Sequence, residues 1–520
     1  MVRHVFLLFL FIIVVFNRVE AQPQKVHDEI VYHVFQRSFF DSNNDDHGDL
    51  NGLKLKLKYL QQLGVTSILL TPIWQSAFYH NYFSDDFEKI DPKYGSMADY
   101  IALVKEIHKR GMKVYLDMES QYVTEDHLWW KDSFGNPKSK YSGYIIYNDK
   151  EQRQPESIVA NYTELKGYNG VVKKLTTVNL KNPEVKKYNY ELFKFWLDPD
   201  LDGNLADGAD GFRLDHLMDN LDHKGKLTNL LADFWRPLID TIKSINPEAR
   251  FIAEPGDWKS FGRKFYTIAD VDNVLAIRLA FAFRSLNKQK IIREADSTFN
   301  VIPPGKQPLI FIENHDIPRF ATAVNQDMQK ERIGAALNLL IGGMPSIYYG
   351  QEIGMLGKSG NYGPTDANEL SDREAFKWYK ANAGKGMAFW YKNSGPWWDH
   401  RYNQPNDGIS LEEQQHNSNS LWSFYHSLIK LRKKYPALIT GTYQNVENDN
   451  KYVFSFLRST PQQRMLIIIN LSDQEQQLSP HSEIKGKRVN RVWGSAPVLI
   501  DEQRLSLKLP AYGLQIYELK

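Results

Sequence analysis

Three apolar runs that end in acids constrain this chain more than any other feature. They are Ala209–Asp219 (ADGFRLDHLMD), Phe251–Trp258 (FIAEPGDW) and Leu309–Arg319 (LIFIENHDIPR). A short apolar run is what a strand buried on both faces looks like. A run that closes in carboxylates delivers them to the rim where the strand leaves its sheet. In the first run Arg213 and Asp215 stand two residues apart, so both project from one face of the strand. An arginine on that face holds the carboxylate ionised and aimed. Taken alone, this stretch reads at least as well as a structural ion pair. Three such strands, bringing Asp215, Glu254 and Asp316 to one rim, point instead to a multi-carboxylate site at the mouth of a barrel.

The rest of the chain supplies the alternation such a barrel needs. Ile30–Phe39 reads as a first strand and Val65–Leu70 as a second. Between them Leu53–Leu63 alternates like a strand in its first half. Leu50, Leu53, Leu57, Leu60 and Leu63 nevertheless share one helical face, so it reads as a helix ended by Gly64. A helix at Met97–Arg110, closed by Gly111, precedes a third strand at Met112–Met118. Alternation then pauses over Glu119–Asn182, a polar stretch too long for a loop and read as an inserted domain. It resumes with helices at Pro183–Leu197 and Leu227–Ile245 flanking the Asp215 strand, and then the Glu254 strand. Strands six to eight are expected at Ala276–Ala282, Leu309–Glu313 and Ser346–Gly350, with a last helix at Ser420–Lys434. After Pro436 short strands such as Lys451–Leu457 and Arg464–Leu471 take over. The expected fold is α/β: a (β/α)8 TIM barrel formed by 22–118 and 183–436, a B domain of residues 119–182 inserted after strand 3, and a C-terminal antiparallel β-sandwich over 437–520.

Composition narrows function by exclusion. The chain has 64 Lys plus Arg against 62 Asp plus Glu, so charge gives no pull toward nucleic acid or a membrane surface. It has no cysteine, which removes disulfides, thiolate catalysis and thiolate metal sites. Met1–Ala21 has a basic start, an apolar run at Val5–Phe16 and a small-x-small site at Val19-Glu20-Ala21, the pattern of a cleavable secretory leader. The run is shorter than the ~20 residues a membrane span needs. A mature protein that is secreted or periplasmic is expected, monomeric and without a membrane span. The lack of cysteine leans toward a bacterial setting.

The loop Asp41–Asp49 (DSNNDDHGD) sets Asp41, Asn43, Asp45 and Asp49 at alternate positions, with His47 between. Oxygen donors at every second residue can wrap one hard cation, His47 contributing its backbone carbonyl, and Ca²⁺ is the expected ion. The same residues also suit a solvated acidic turn.

With these strands placed, the chain resembles the alpha-amylase family, glycoside hydrolase family 13, from about Ile30 to its end. The resemblance rests on GFRLD at Gly211–Asp215, the Glu254 strand and ENHDIPR at Glu313–Arg319, in that order. Thr71-Pro72-Ile73-Trp74, Tyr79-His80-Asn81-Tyr82, Ile90–Gly95 and the Asp41 loop add to it. The resemblance implies that Asp215 is the nucleophile with Arg213 its partner, that Glu254 is the general acid/base, and that Asp316 binds sugar hydroxyls beside His315. It implies that Tyr82 stacks under the sugar, and it adds His80 and Arg319 to the substrate-binding set. It also implies the B and C domains and a calcium site at Asp41–Asp49.

The departures are as specific. Where the family shows an Asn-His pair after strand 3, this chain has Gln121-Tyr122, so Tyr122 is expected to replace the His as a sugar contact. Met218 and Asp219 stand where many amylases carry Lys-His, and Pro255 follows Glu254. Phe83 follows Tyr82, where members acting on small substrates often have Asp. The implied activity is retaining hydrolysis of α-glucosidic bonds, mainly α-1,4, in starch-like glucans or maltooligosaccharides. An exo-acting α-glucosidase or transglycosylase uses the same three carboxylates, and a non-catalytic glycan-binding relative is the alternative from another class.

Overall fold

The computed structural model describes residues 28–398, 401–478, 489–494, 498–501 and 504–520. The leader read at 1–21 lies outside the described residues. Eight strands, all parallel, form a closed barrel: β1 Val31–Val34, β2 Ser67–Leu70, β3 Lys113–Met118, β4 Gly211–Leu217, β5 Arg250–Pro255, β6 Asn273–Leu275, β7 Gln307–Ile310 and β8 Met344–Tyr348. Neighbours in space follow the chain around the ring, β8 closing on β1.

Period-two alternation sorts each strand into an inward and an outward face. Val31, Leu69, Tyr115, Ile252, Leu275, Leu309 and Met344, one from each of seven strands, pack together as the barrel's inner core. On β4 the inner position is Arg213, two residues before Asp215 on the same face. Outward residues such as Ile68, Val114, Phe212, Phe251 and Ile310 join the larger core under the helices. The carboxylates therefore sit where the inner faces of β3, β4 and β5 reach the C-terminal rim.

The helices form where the patterning places them. Leu50–Leu63 buries Leu50, Leu53, Leu57, Leu60 and Leu63, is capped by Asp49 accepting from the Gly52 N–H, and ends at Gly64 with φ 101°. Met97–Lys109 starts in a Ser96/Asp99 capping box. Among the described residues no helix is long and apolar enough to cross a membrane.

The sixth strand needs correction. It is Asn273–Leu275, and most of the run Ala276–Ala282 belongs to a helix, Ile277–Arg284. Ile277, Ala280 and Phe283 are buried at helical spacing while Phe281 is 45 % exposed, so the apolar run follows a 3.6 period. Polar Asp272 and Asn273 hide the strand itself. β1 is shorter than expected, turning at Gln36–Ser38 into a 3₁₀ turn. The helix read at Leu227–Ile245 is regular only over Arg236–Ile245, after a wide turn at Leu231–Trp235. Pro237 has no N–H to donate back into that turn.

After β3 the excursion 119–182 carries an antiparallel sheet of Tyr122–Thr124, Val172–Thr177 and Glu164–Lys166, with Trp129 and Trp130 buried. Beyond Thr442 two antiparallel sheets share a core in which Leu478, Leu507 and Leu509 meet Val453, Leu457, Leu466, Ile468 and Tyr517. Buried Arg458 ties this unit to the barrel, donating to Leu340 O at 3.0 Å.

β4 starts at Gly211 because the chain passes close to β5. Its φ is 153°, and a Cβ there would lie 2.1 Å from Arg250 O. Gly211→Ala is expected to cost about 2–4 kcal/mol of stability through strain and overpacking. A urea midpoint within error of the native chain's would show that β5 yields instead.

Candidate active site

Register builds the site. Asp117 on β3 is the direct partner of Arg213 on β4, and β4 pairs with β5 evenly as far as Ala253. The pairing then shifts between Ala253 and Pro255, so Glu254 stands at the irregularity. Arg213 takes the space among them. Its Nη1 donates to Asp117 Oδ1 at 2.7 Å and also to Asp215 Oδ1. Its Nη2 donates to Glu254 Oε2 at 2.7 Å. Glu254 accepts further from the His216 N–H at 3.1 Å and from Trp258 Nε1 at 3.1 Å.

Asp316 comes from the loop after β7. Its Oδ1 accepts from Arg373 Nη2 at 3.2 Å, and His315 Nε2 lies 3.1 Å from its Oδ2. His315 also meets the Tyr82 hydroxyl at 2.7 Å, with the two rings stacked at 5.3 Å. Tyr82 donates to Asp117 Oδ2 at 2.7 Å, which links the Asp316 side of the site to the Arg213 side. A cavity of about 460 Å³ opens over these groups, and Asp215, Glu254, Asp316, Tyr82, His80, His315 and Tyr122 all line it.

Two predicted site residues do not reach the cavity. Arg319 is fully buried in the wall, donating to Glu313 Oε1 and Tyr349 O. Arg213 is also buried, held by carboxylates on three strands, so it positions acids and does not line the space a sugar would enter. Tyr122 lines the cavity, but its hydroxyl is engaged with Asp222 Oδ1 at 2.7 Å. Asp222 also holds His216 Nε2 at 3.0 Å.

The electrostatics differ from the simple picture of one arginine ionising one aspartate. Burial pushes the Asp215 carboxyl up, to about 8, and Glu254 and Asp117 push the same way while Arg213 pulls down. Arg213 cannot win because it is divided among three acids. Glu119, fully enclosed beside Asp215, is raised well above the carboxylate range, by burial first and then by Asp215. Its Oε1 accepts the Gln121 N–H at 2.5 Å, and its Oε2 has no donor at all. Two carboxyls so placed oppose each other's ionisation, and both are raised. Asp316 goes the other way. Burial alone would raise it, but His315 and Arg373 outweigh burial and hold it well below the usual range. His80 is pushed well below its ordinary value by burial, so it is neutral.

Glu119, Asp117, Trp258 and Arg373 were not singled out from sequence. Asp117 and Glu119 could have been, since alternation from Tyr115 puts both on the inner face of β3 and the turn after it. Arg373 lies far along the chain, closing a 3₁₀ helix at Asp366–Arg373, and carries no sequence signal.

The Asp41–Asp49 loop is wound by its own side chains. Asp41 Oδ1 accepts the Asn43 N–H, Asn43 Oδ1 the Asp45 N–H, and Asp45 Oδ1 the His47 N–H, each at 3.0 Å. Asn44 and Asp46 between them take φ of 64° and 68°. Donor type and winding fit a hard cation. The acids of the loop are not drawn together as a cluster: among the described residues that description applies to Asp198, Asp200 and Asp207.

A family model described as the alpha amylase catalytic domain matches residues 33–441, and one described as the maltogenic amylase C-terminal domain matches 443–516. Among curated proteins the chain is 28 % identical to "Alpha-amylase 3" of Dictyoglomus thermophilum, covering 93 % of each chain. It is 26 % identical to an oligo-1,6-glucosidase of Parageobacillus thermoglucosidasius, over 86 % of this chain and 90 % of that one. Among solved structures, an alpha-amylase from H. orenii shares the fold with TM-score 0.78 and 24 % identity, over 95 % of this chain and all of that one.

Arg213 gives a test of the geometry that needs no substrate. Arg213→Met leaves Asp117, Asp215 and Glu254 without their shared cation, which should cost about 3–5 kcal/mol near neutral pH. Carboxyls raised above their unfolded values keep their stability at low pH and lose it as pH rises. The loss should therefore be smaller at about pH 5 than at about pH 8, read by denaturant unfolding. Equal loss at both would mean the acids are solvated.

Proposed function

The chain belongs to the alpha-amylase family of glycoside hydrolases, and from that premise we propose that it is a retaining hydrolase of α-glucosidic bonds, mainly α-1,4, in starch-like glucans or maltooligosaccharides. The observation that carries this reading is the single guanidinium of Arg213 clipped to both Asp215 and Glu254. Carboxyls on adjacent nitrogens of one guanidinium, from adjacent strands, belong to the ~5–5.5 Å class of retaining enzymes and leave no room for an inserted water.

In this reading Asp215 attacks the anomeric carbon while Glu254 protonates the leaving oxygen. Glu254 then takes a proton from the water that releases the glycosyl–Asp215 intermediate. Asp215 must have lost its proton to attack, so Glu119 serves as the place where that proton is held. Asp316, kept ionised by His315 and Arg373, binds sugar hydroxyls and favours the distorted ring. Tyr82 offers its face to the sugar, and its hydroxyl is fixed by Asp117 and His315. His80 and Tyr122 contribute side walls.

Proton NMR of the first product from an α-linked substrate tests the mechanism. The α-anomer should appear before mutarotation, and β-anomer first would overturn both double displacement and the role of Asp215. Asp215→Ala should abolish turnover. Glu254→Ala should lose a factor of about 10²–10⁴ on poor leaving groups and far less on activated ones. Products from maltoheptaose, isomaltose and pullulan then give linkage and endo or exo action.

The loop Asp41–Asp49 is proposed to hold Ca²⁺ through Asp41, Asn43, Asp45, Asp49 and the His47 carbonyl, as a structural ion. Chelation should lower the melting temperature by mass action, and Asp45→Ala should abolish the part of that sensitivity due to this loop. An Asp45→Ala chain that responds to chelator as the native chain does would sink the assignment. The protein is further proposed to be exported, on the strength of the leader pattern at Met1–Ala21, and to be monomeric.

A further inference from the structure

The loop 198–207 (DPDLDGNLAD) joins the helix Pro183–Leu197 to β4, at the rim opposite the carboxylate site. Its two ends touch. A Cβ on Gly208 would lie 1.9 Å from Leu197 O, and Ala209 N donates to Trp196 O at 2.9 Å. Between those ends Asp198, Asp200, Asp202 and Asn204 fall on alternate positions. Gly203, sixth in the loop, takes the left-handed turn with φ 83°. Oxygen donors at every second position with a glycine at the sixth are the pattern of a loop that wraps a hard cation. One carboxylate oxygen each of Asp198, Asp200 and Asp207 lie within 4.8 Å of one another.

Gathered acids on a surface turn need mean nothing, since water satisfies them. Asp207 is different. It is fully buried, and neither of its carboxylate oxygens has a hydrogen-bond partner. The cation beside it is the half-exposed Lys105, whose Nζ is 3.4 Å from Oδ2. Lys105 offsets one of the three charges and leaves Oδ1 unanswered. A carboxylate taken out of water without donors is costly, and a bound metal ion is one of the few groups that compensates it.

We propose that Asp198, Asp200 and Asp207 bind a hard divalent cation, Ca²⁺, in a second site independent of the Asp41–Asp49 loop. A wound loop that can add carbonyls and water suits the six to eight oxygens calcium takes, and suits magnesium's rigid octahedron less well. The ion fastens the point where the chain enters β4. Gly211 and Asp215 are four residues apart on that strand, roughly 13 Å, so the ion is structural and touches no substrate.

The test uses the full chain stripped of metal. Bound calcium per chain is measured by titration calorimetry and by metal analysis after dialysis, with melting temperature measured in chelator and in excess CaCl₂. Four proteins are compared: native, Asp45→Ala, Asp200→Asn and the double variant. Asp200 is exposed, so Asp200→Asn should melt with the native chain in chelator. In calcium it should bind one ion fewer and show a smaller rise in melting temperature, with the loss additive to that of Asp45→Ala. The proposal is overturned if Asp200→Asn binds as much calcium as the native chain with the same rise. It is equally overturned if Asp200→Asn melts lower by the same margin with and without calcium, which would make the cluster a metal-free ion pair with Lys105.

Discussion

One buried cation governs the architecture of the site. Arg213 is 1 % exposed and answers acids on three successive strands. A guanidinium is the side chain for this task because it stays charged and presents several donors in a fixed plane. Its position is not adjustable. It stands opposite Asp117 by strand register, two residues from Asp215 by strand period, and beside Glu254 through the shift in β4–β5 pairing. The barrel must close with that register for the four groups to meet, so the fold's topology and the site's chemistry are one constraint.

Much of this is legible in the amino-acid sequence alone. Alternation in GFRLD put Arg213 and Asp215 on one face, and strand endings marked Glu254 and Asp316. The leucine face of Leu50–Leu63 overrode an ambiguous alternation. What failed did so for local reasons. Ala276–Ala282 is apolar enough for a strand, yet Leu, Ala and Phe serve a short buried helix equally, and three residues of true strand were hidden behind Asp272 and Asn273. Arg319 was assigned to the site through the ENHDIPR motif, but its partner is Glu313 six residues back, and the pair closes on itself inside the wall. Arg373 is invisible because nothing in the sequence around it, which forms the 3₁₀ helix Asp366–Arg373, marks one arginine as facing the site. Its contact with Asp316 is made by tertiary folding alone.

The two acidic loops stand at opposite ends of the barrel and show what sequence spacing can and cannot carry. Asp41–Asp49 follows β1 on the side of the sugar cavity, and 198–207 precedes β4 on the far side. Both alternate oxygen donors and both wind through turns in which one side chain caps the next backbone N–H. Spacing favoured the first. Convergence of carboxylates and the buried Asp207, with no donor to either oxygen, favour the second. A donor pattern read along the chain reports what a loop can wrap. Burial without a partner reports what the fold has left uncompensated, and that exists only in three dimensions.

The carboxyls of Glu119, Asp215, Glu254 and Asp316 line the cavity and that of Asp117 lies beneath it, and the cations set against them are unevenly shared. Asp316 has both Arg373 and His315 against it and is held in its ionised form, although Arg373 also acts on Glu369 and Asp366. Asp117, Asp215 and Glu254 divide Arg213, while Glu119 has no ion-pair partner among the described residues and is raised well above the carboxylate range. The result is a site with an ionised carboxylate at Asp316 on one side and raised carboxyls of Asp117, Asp215 and Glu119 on the other. Glycosidic cleavage calls for that division. An oxocarbenium-like transition state needs standing negative charge near the ring, and the same step needs a proton delivered to the leaving oxygen from a group that can take it back. An arginine serving Asp215 alone would hold that one carboxyl as an anion. Dividing it leaves Asp215 without a full counter-charge, so burial and the neighbouring acids raise its carboxyl.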